Sequence, residues 1–90
     1  FEAVRANMRT LMVELEADRA QSVNLQTSWS DYVDNYNGAA SLDDQITDNT
    51  NISNNTNDSD LNTDSYIVEV SFDDGSTIRI NNGAITTSGN

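Results

Sequence analysis

The stretch FEAVRANMRTLMVELEADRAQSVNLQTSWSDYVDNYN, residues 1–37, decides the fold, because its apolar side chains recur at alternating threes and fours. Phe1, Val4, Met8, Leu11, Leu15, Asp18, Ser22, Leu25, Trp29, Tyr32 and Tyr36 follow one another at that spacing, and only Asp18 and Ser22 are polar. A repeat of this kind sustained over about five heptads predicts a helix whose narrow seam meets another helix. No proline occurs, and no glycine precedes Gly38, which is placed to end the helix. Such a helix would be about 54 Å long at 1.5 Å per residue. A compact chain of this size spans only about 25 to 30 Å. The seam Phe1, Val4, Met8, Leu11, Leu15, Leu25, Trp29, Tyr32 and Tyr36 is therefore expected to pair with other copies in a coiled coil or bundle, a homo-oligomer. On that expectation Leu11→Asp dissociates the oligomer, since it buries an unpaired charge.

The C-terminal residues 66–90 alternate with period two. Tyr66, Val68, Val70 and Phe72 share one face, and Asp73-Asp74-Gly75 suits a three-residue hairpin loop. That loop sets Val70 against Ile78, Val68 against Ile80, and Glu69 against Arg79. A two-residue loop would instead split the apolar set across both faces. Asn82-Gly83 then signals a second hairpin that puts Ile85 opposite Ile80. The expected product is a three-stranded antiparallel meander with a packing face of Tyr66, Val68, Val70, Phe72, Ile78, Ile80 and Ile85. Three strands with one apolar face need a cover.

Between these parts, residues 38–65 are rich in Asn, Asp, Ser and Thr and read as a polar linker, with a weak helical start around Leu42 to Ile46. The expected fold class is thus α+β: a long N-terminal heptad helix over 1–37, the linker over 38–65, and the meander over 66–90. At 90 residues this is at most one small domain with a limited core.

Composition narrows the chemistry. The chain has no Cys, His or Lys, which removes disulfides, thiolate sites, an imidazole base, an amine nucleophile and any ordinary zinc site. Its net charge is −11, with all positive charge on Arg5, Arg9, Arg19 and Arg79. Phosphate backbones and anionic membrane surfaces are disfavoured partners, because affinity for them rests on cations. No apolar run approaches the roughly 20 residues that span a bilayer. Asp58, Asp60, Asn62, Asp64 and Glu69 fit positions 1, 3, 5, 7 and 12 of a calcium loop, yet Thr63 stands where that loop needs glycine. Asp73 and Asp74 fall in a turn, where Asp has a conformational role. No enzyme activity, cofactor or metal is expected.

Two stretches, DNTNISNNTND at 48–58 and INNGAITTSGN at 80–90, resemble bacteriophage tail-fibre and related trimeric virion proteins. The resemblance implies parallel chains wound together as a homo-oligomer with a trimer favoured, a structural role in a virion, and other structural proteins of that assembly as partners. A helix followed by a loop and an antiparallel sheet is also similar to a type IV pilin subunit, whose mature form commonly begins with phenylalanine. Glu2, Arg5 and Arg9 stand where that family has an apolar half-helix, so this second likeness implies a cell-surface filament subunit from which that half has been removed. The start at Phe1 and the stop after Thr87-Ser88-Gly89-Asn90 suggest a processed, trimmed or partial chain.

Overall fold

The computed structural model describes residues 1–89. In order along the chain they form α1 (Glu2–Ala20), α2 (Trp29–Asn35), α3 (Asn37–Thr47), β1 (Ile52–Asn54), a 3-10 turn (Asp58–Asp60), β2 (Ile67–Phe72), β3 (Thr77–Asn81) and β4 (Ala84–Ser88). The four strands make one antiparallel sheet in the order β1-β2-β3-β4. The class is α+β, and the molecule measures 37 × 22 × 22 Å.

The helix expected over 1–37 is three helices, and the first break is at Ser22. This residue takes φ 56, and Ser22 N–H and Val23 N–H bond back to the carbonyls of Arg19 and Asp18. That pair of bonds is a Schellman stop with serine in the left-handed position usually filled by glycine. The chain then runs extended past Leu25, whose N–H bonds to the Thr63 carbonyl, and re-enters a helix at Ser28. The Ser28 hydroxyl accepts the Asp31 N–H, an ordinary N-cap.

Gly38 does not end a helix, as its position suggested; it opens α3. There the chain turns at Tyr36, and α3 packs along α1 so closely that a Cβ on Gly38 would lie 2.6 Å from Leu11 Cα. Glycine is needed for approach here, since real side chains do not fit that gap.

Folding back in this way covers the heptad stripe from within. Val4, Met8, Leu11 and Leu15 of α1 are fully buried in one core with Leu25, Tyr32, Tyr36, Ala39 and Leu42, and with Ile52, Leu61, Tyr66, Val68, Val70, Ile78 and Ile80. The seam thus meets α3 and the molecule's own sheet. Two positions of the seam are less covered: Trp29 is partly buried, and Phe1 is 48% exposed, resting on Phe72 with ring centroids 5.2 Å apart.

In the sheet the observed pairs are Val70↔Ile78, Val68↔Ile80 and Glu69↔Arg79 between β2 and β3, and Ile80↔Ile85 between β3 and β4. Gly75 at φ 90 closes the first loop, while Asn82 at φ 49 and Gly83 at φ 92 form the second, as a two-residue turn with both φ values positive requires. The sheet has four strands rather than three. Ile52-Ser53-Asn54, within the stretch read as linker, pairs with Phe72, Ser71 and Val70. Three residues are too few for alternation to declare a strand, and only Ile52 among them is apolar and buried.

We expect Gly38→Ala to lower stability by about 1–3 kcal/mol, because the added methyl drives α3 away from the Leu11 backbone. Urea denaturation of the variant beside the parent chain measures it.

Candidate functional site

Two regions stand out once the seam is inside: the chain of polar contacts joining the C-terminal half of α1 to the sheet, and the outer face of α1.

The first begins with Glu16 and Arg19, one helical turn apart. Arg19 Nη1 donates to both Glu16 carboxylate oxygens at 2.9 Å, and its Nε donates to the Asp64 carbonyl at 3.0 Å. Tyr66, buried at the head of β2, donates its hydroxyl proton to Glu16 Oε2 at 2.7 Å and accepts the Gly83 N–H at 2.9 Å. The Arg19 guanidinium also lies 5.8 Å from the centre of the Tyr66 ring. Tyr66 N–H donates to Asn82 Oδ1 at 2.9 Å, so one buried residue holds both turn residues of the β3–β4 hairpin. Beside this network, Glu16, Arg19, Ala20, Ser22, Val23, Asn24, Thr63 and Asp64 line an open cleft of about 500 Å³. Its walls mix both charge signs with small apolar groups, a lining without a dominant chemistry.

Asp18, which interrupts the stripe, is accounted for by Tyr36, whose hydroxyl donates to Asp18 Oδ2 at 2.9 Å. A charge at this position is tolerated because it accepts a hydrogen bond. Trp29 Nε1 similarly donates to Asp43 at 3.0 Å. The Tyr32 hydroxyl is buried and finds no hydrogen-bond partner among the described residues.

Electrostatically, burial acts to raise the Glu16 carboxyl, but the Arg19 and Tyr66 hydrogen bonds and the Arg19 charge outweigh it and hold the pKa below the ordinary value. Hydrogen bonds from Ser76 likewise lower Asp74. Burial raises Tyr32 to about 12, and burial together with acceptor carboxylates raises Tyr36 and Tyr66 further. Each of these shifts carries the group away from neutral pH.

The acidic positions of the calcium-loop pattern are dispersed. Asp58 Oδ1 accepts the Trp29 N–H, and Glu69 lies on β2 with its carboxylate 4.0 Å from Arg79. Among the described residues no group of three or more acidic side chains is placed to hold a metal ion. No described helix is long and apolar enough to cross a membrane.

The second region is a stripe missed in the sequence. Ala3, Ala6, Thr10, Val13, Ala17 and Ala20 repeat at threes and fours on the side of α1 opposite the core, and all are exposed, Val13 to 65%. Only Glu2 and Arg9 carry charge among the exposed positions of this helix. The signal was present in the spacing, but the larger side chains of the buried stripe hide it. No family model, curated protein or solved structure matches the chain.

Two measurements follow from the tyrosines. Tyr66→Phe should destabilise by about 1–3 kcal/mol, since Gly83 N–H loses its acceptor, whereas Tyr32→Phe should be neutral or stabilising because a buried hydroxyl without a partner is removed. Denaturation curves of the two variants should therefore move in opposite directions or differ clearly in size.

The pH dependence has a definite sign. A tyrosine whose folded pKa is raised contributes stability that is fully present below its unfolded value, 10.0, and lost as pH rises through its folded value. For Tyr32 this places the loss between 10.0 and about 12, with Tyr36 and Tyr66 continuing it upward. Tyrosinate absorbance and far-UV circular dichroism should change together in one alkaline transition; ionisation of all three tyrosines without unfolding would contradict it.

Proposed function

We propose that this chain is a non-enzymatic structural subunit of the type IV pilin kind, working by assembly into a filament. The observation that carries the reading is the fate of the heptad stripe. A trimeric fibre needs that stripe free to meet other chains, whereas a pilin-type subunit packs its helix on its own antiparallel sheet. Here Val4, Met8, Leu11 and Leu15 are fully buried against α3 and the sheet of the same chain. The four-stranded consecutive meander behind the helix agrees with the same architecture.

In this reading α1 has two jobs on two faces. Its inner stripe fixes the subunit, and its outer stripe from Ala3 to Ala20, small and nearly uncharged, is the face left for neighbours in the filament. A chain of net charge −11 repels its own copies, and a nearly neutral helix face lowers that repulsion where contact is made. No substrate chemistry is asked of the molecule. Its place is a cell-surface filament rather than a virion.

Sedimentation equilibrium of the isolated chain tests the choice. The pilin-type reading expects a monomer, and Leu11→Asp then abolishes folding instead of separating chains, because the charge enters the subunit's own core. In the producing cell, Val13→Asp should leave the chain folded, within about 0.5 kcal/mol of the parent, yet prevent its entry into filaments. A stable trimer in solution, or filament entry unchanged by charge on the outer stripe, defeats the proposal.

A further inference from the structure

The chain contains two Asn-Gly pairs, Asn37-Gly38 and Asn82-Gly83. In such a pair the glycine nitrogen can attack Cγ of the asparagine side chain, because no Cβ hinders its approach. The N–Cγ bond forms, the Cγ–Nδ2 bond breaks, and ammonia leaves with the proton lost by the glycine nitrogen. Water then opens the five-membered imide at either carbonyl, giving aspartate or isoaspartate. No oxidant or cofactor enters the balance.

One glycine nitrogen is held by an acid of α1 directly, the other through a tyrosine that an acid of α1 fixes. Gly38 N–H donates to Glu14 Oε1 at 2.6 Å, and Asn37 N–H donates to Glu14 Oε2 at 2.9 Å. Gly38 is also buried against the Leu11 backbone, so its peptide cannot turn while α1 and α3 stay together. At the other pair Gly83 N–H donates to the Tyr66 hydroxyl, which in turn donates to Glu16. The electrophile is pinned as well, since Asn82 Oδ1 accepts the Tyr66 N–H. Asn82 and Gly83 are both exposed, so water reaches the turn, and what restrains the reaction is the hold on the two reacting groups.

We propose that Asn37 and Asn82 are latent sites of covalent self-modification that α1 keeps silent through Glu14 and through Glu16 with Tyr66. When α1 leaves its place, Gly38 N–H loses its acceptor outright, and the Tyr66 hydroxyl loses the Glu16 carboxylate that keeps it aimed at Gly83 N–H, so both imides can form. The products oppose return. Aspartate at 82 adds a negative charge next to Gly83, against which the Glu16 carboxylate rests. Isoaspartate adds a methylene to the main chain of a two-residue turn that sets the pairing of Ile80 with Ile85. A transient release of α1 is thereby recorded in the covalent structure. This inference is independent of the filament reading.

Peptide mass mapping with isoaspartate detection, on the chain incubated at mildly alkaline pH, tests it. Native protein should convert at both asparagines at least about tenfold more slowly than the same chain unfolded in urea, as the loss of two hydrogen bonds per site implies. Tyr66→Phe, checked for folding by circular dichroism, should speed conversion several-fold at Asn82 and leave Asn37 unchanged. Glu14→Ala should do the reverse. Equal or faster conversion in the native state overturns the proposal, as does a pair of folded variants that speed both sites alike. If a variant does not fold, the native-against-urea comparison still decides.

Discussion

The fold depends on how the N-terminus of α3 is satisfied. A helix start leaves backbone N–H groups without partners and carries partial positive charge. Tyr36, at the cap position, makes no side-chain bond there, and α3 has no acidic residue in its first turn. The Glu14 carboxylate of α1 fills both roles, accepting the Asn37 and Gly38 N–H groups. The cap is thus supplied by the neighbouring helix, and it works only at the short distance that Gly38 allows. Capping and close packing are one constraint, and it turns a stripe fit for assembly into a stripe buried at home.

Glu16, two residues further along α1, does the corresponding work for the sheet. With Arg19 it ties α1 to the Asp64 carbonyl, to Tyr66 and through Tyr66 to the last hairpin. The Glu16–Arg19 pair itself is about a third exposed on each side and contributes little as an ion pair. Its value lies in aim: a carboxylate fixed by Arg19 is an acceptor already in place for a buried hydroxyl. Apolar burial supplies the larger driving force, and these polar contacts choose which arrangement of the apolar parts is reached.

Much of this was legible residue by residue. Period-two alternation together with loop length gave the pairing of β2, β3 and β4, because a slip of one residue would have exposed the apolar set. The heptad spacing found the residues that line the core, from Val4 to Tyr36. It could not show what they pack against, since the same stripe serves a partner chain or a partner helix of the same chain. The length argument for an outside partner failed with the single helix, and the clues to the break were local: Asp18 and Ser22 in the stripe, and Ser28-x-x-Asp31 as a fresh cap. Serine in a left-handed stop, a carboxylate capping a helix from another element, and a three-residue strand leave almost no periodic trace. The outer stripe of α1 was periodic but small, and size hid it.

The strand order β1-β2-β3-β4 has a consequence for folding kinetics. Every pairing joins neighbours in sequence, and β2, β3 and β4 can form through hairpins that close short loops. The contacts of α1 with the sheet span far more chain, 50 residues between Glu16 and Tyr66 and 45 between Arg19 and Asp64. Closing loops of that length costs more entropy, though only logarithmically more. Low local contact order in the sheet beside long closures at α1 implies that the hairpins form early and α1 docks late. With no proline in the chain, no slow peptide isomerisation hides that order.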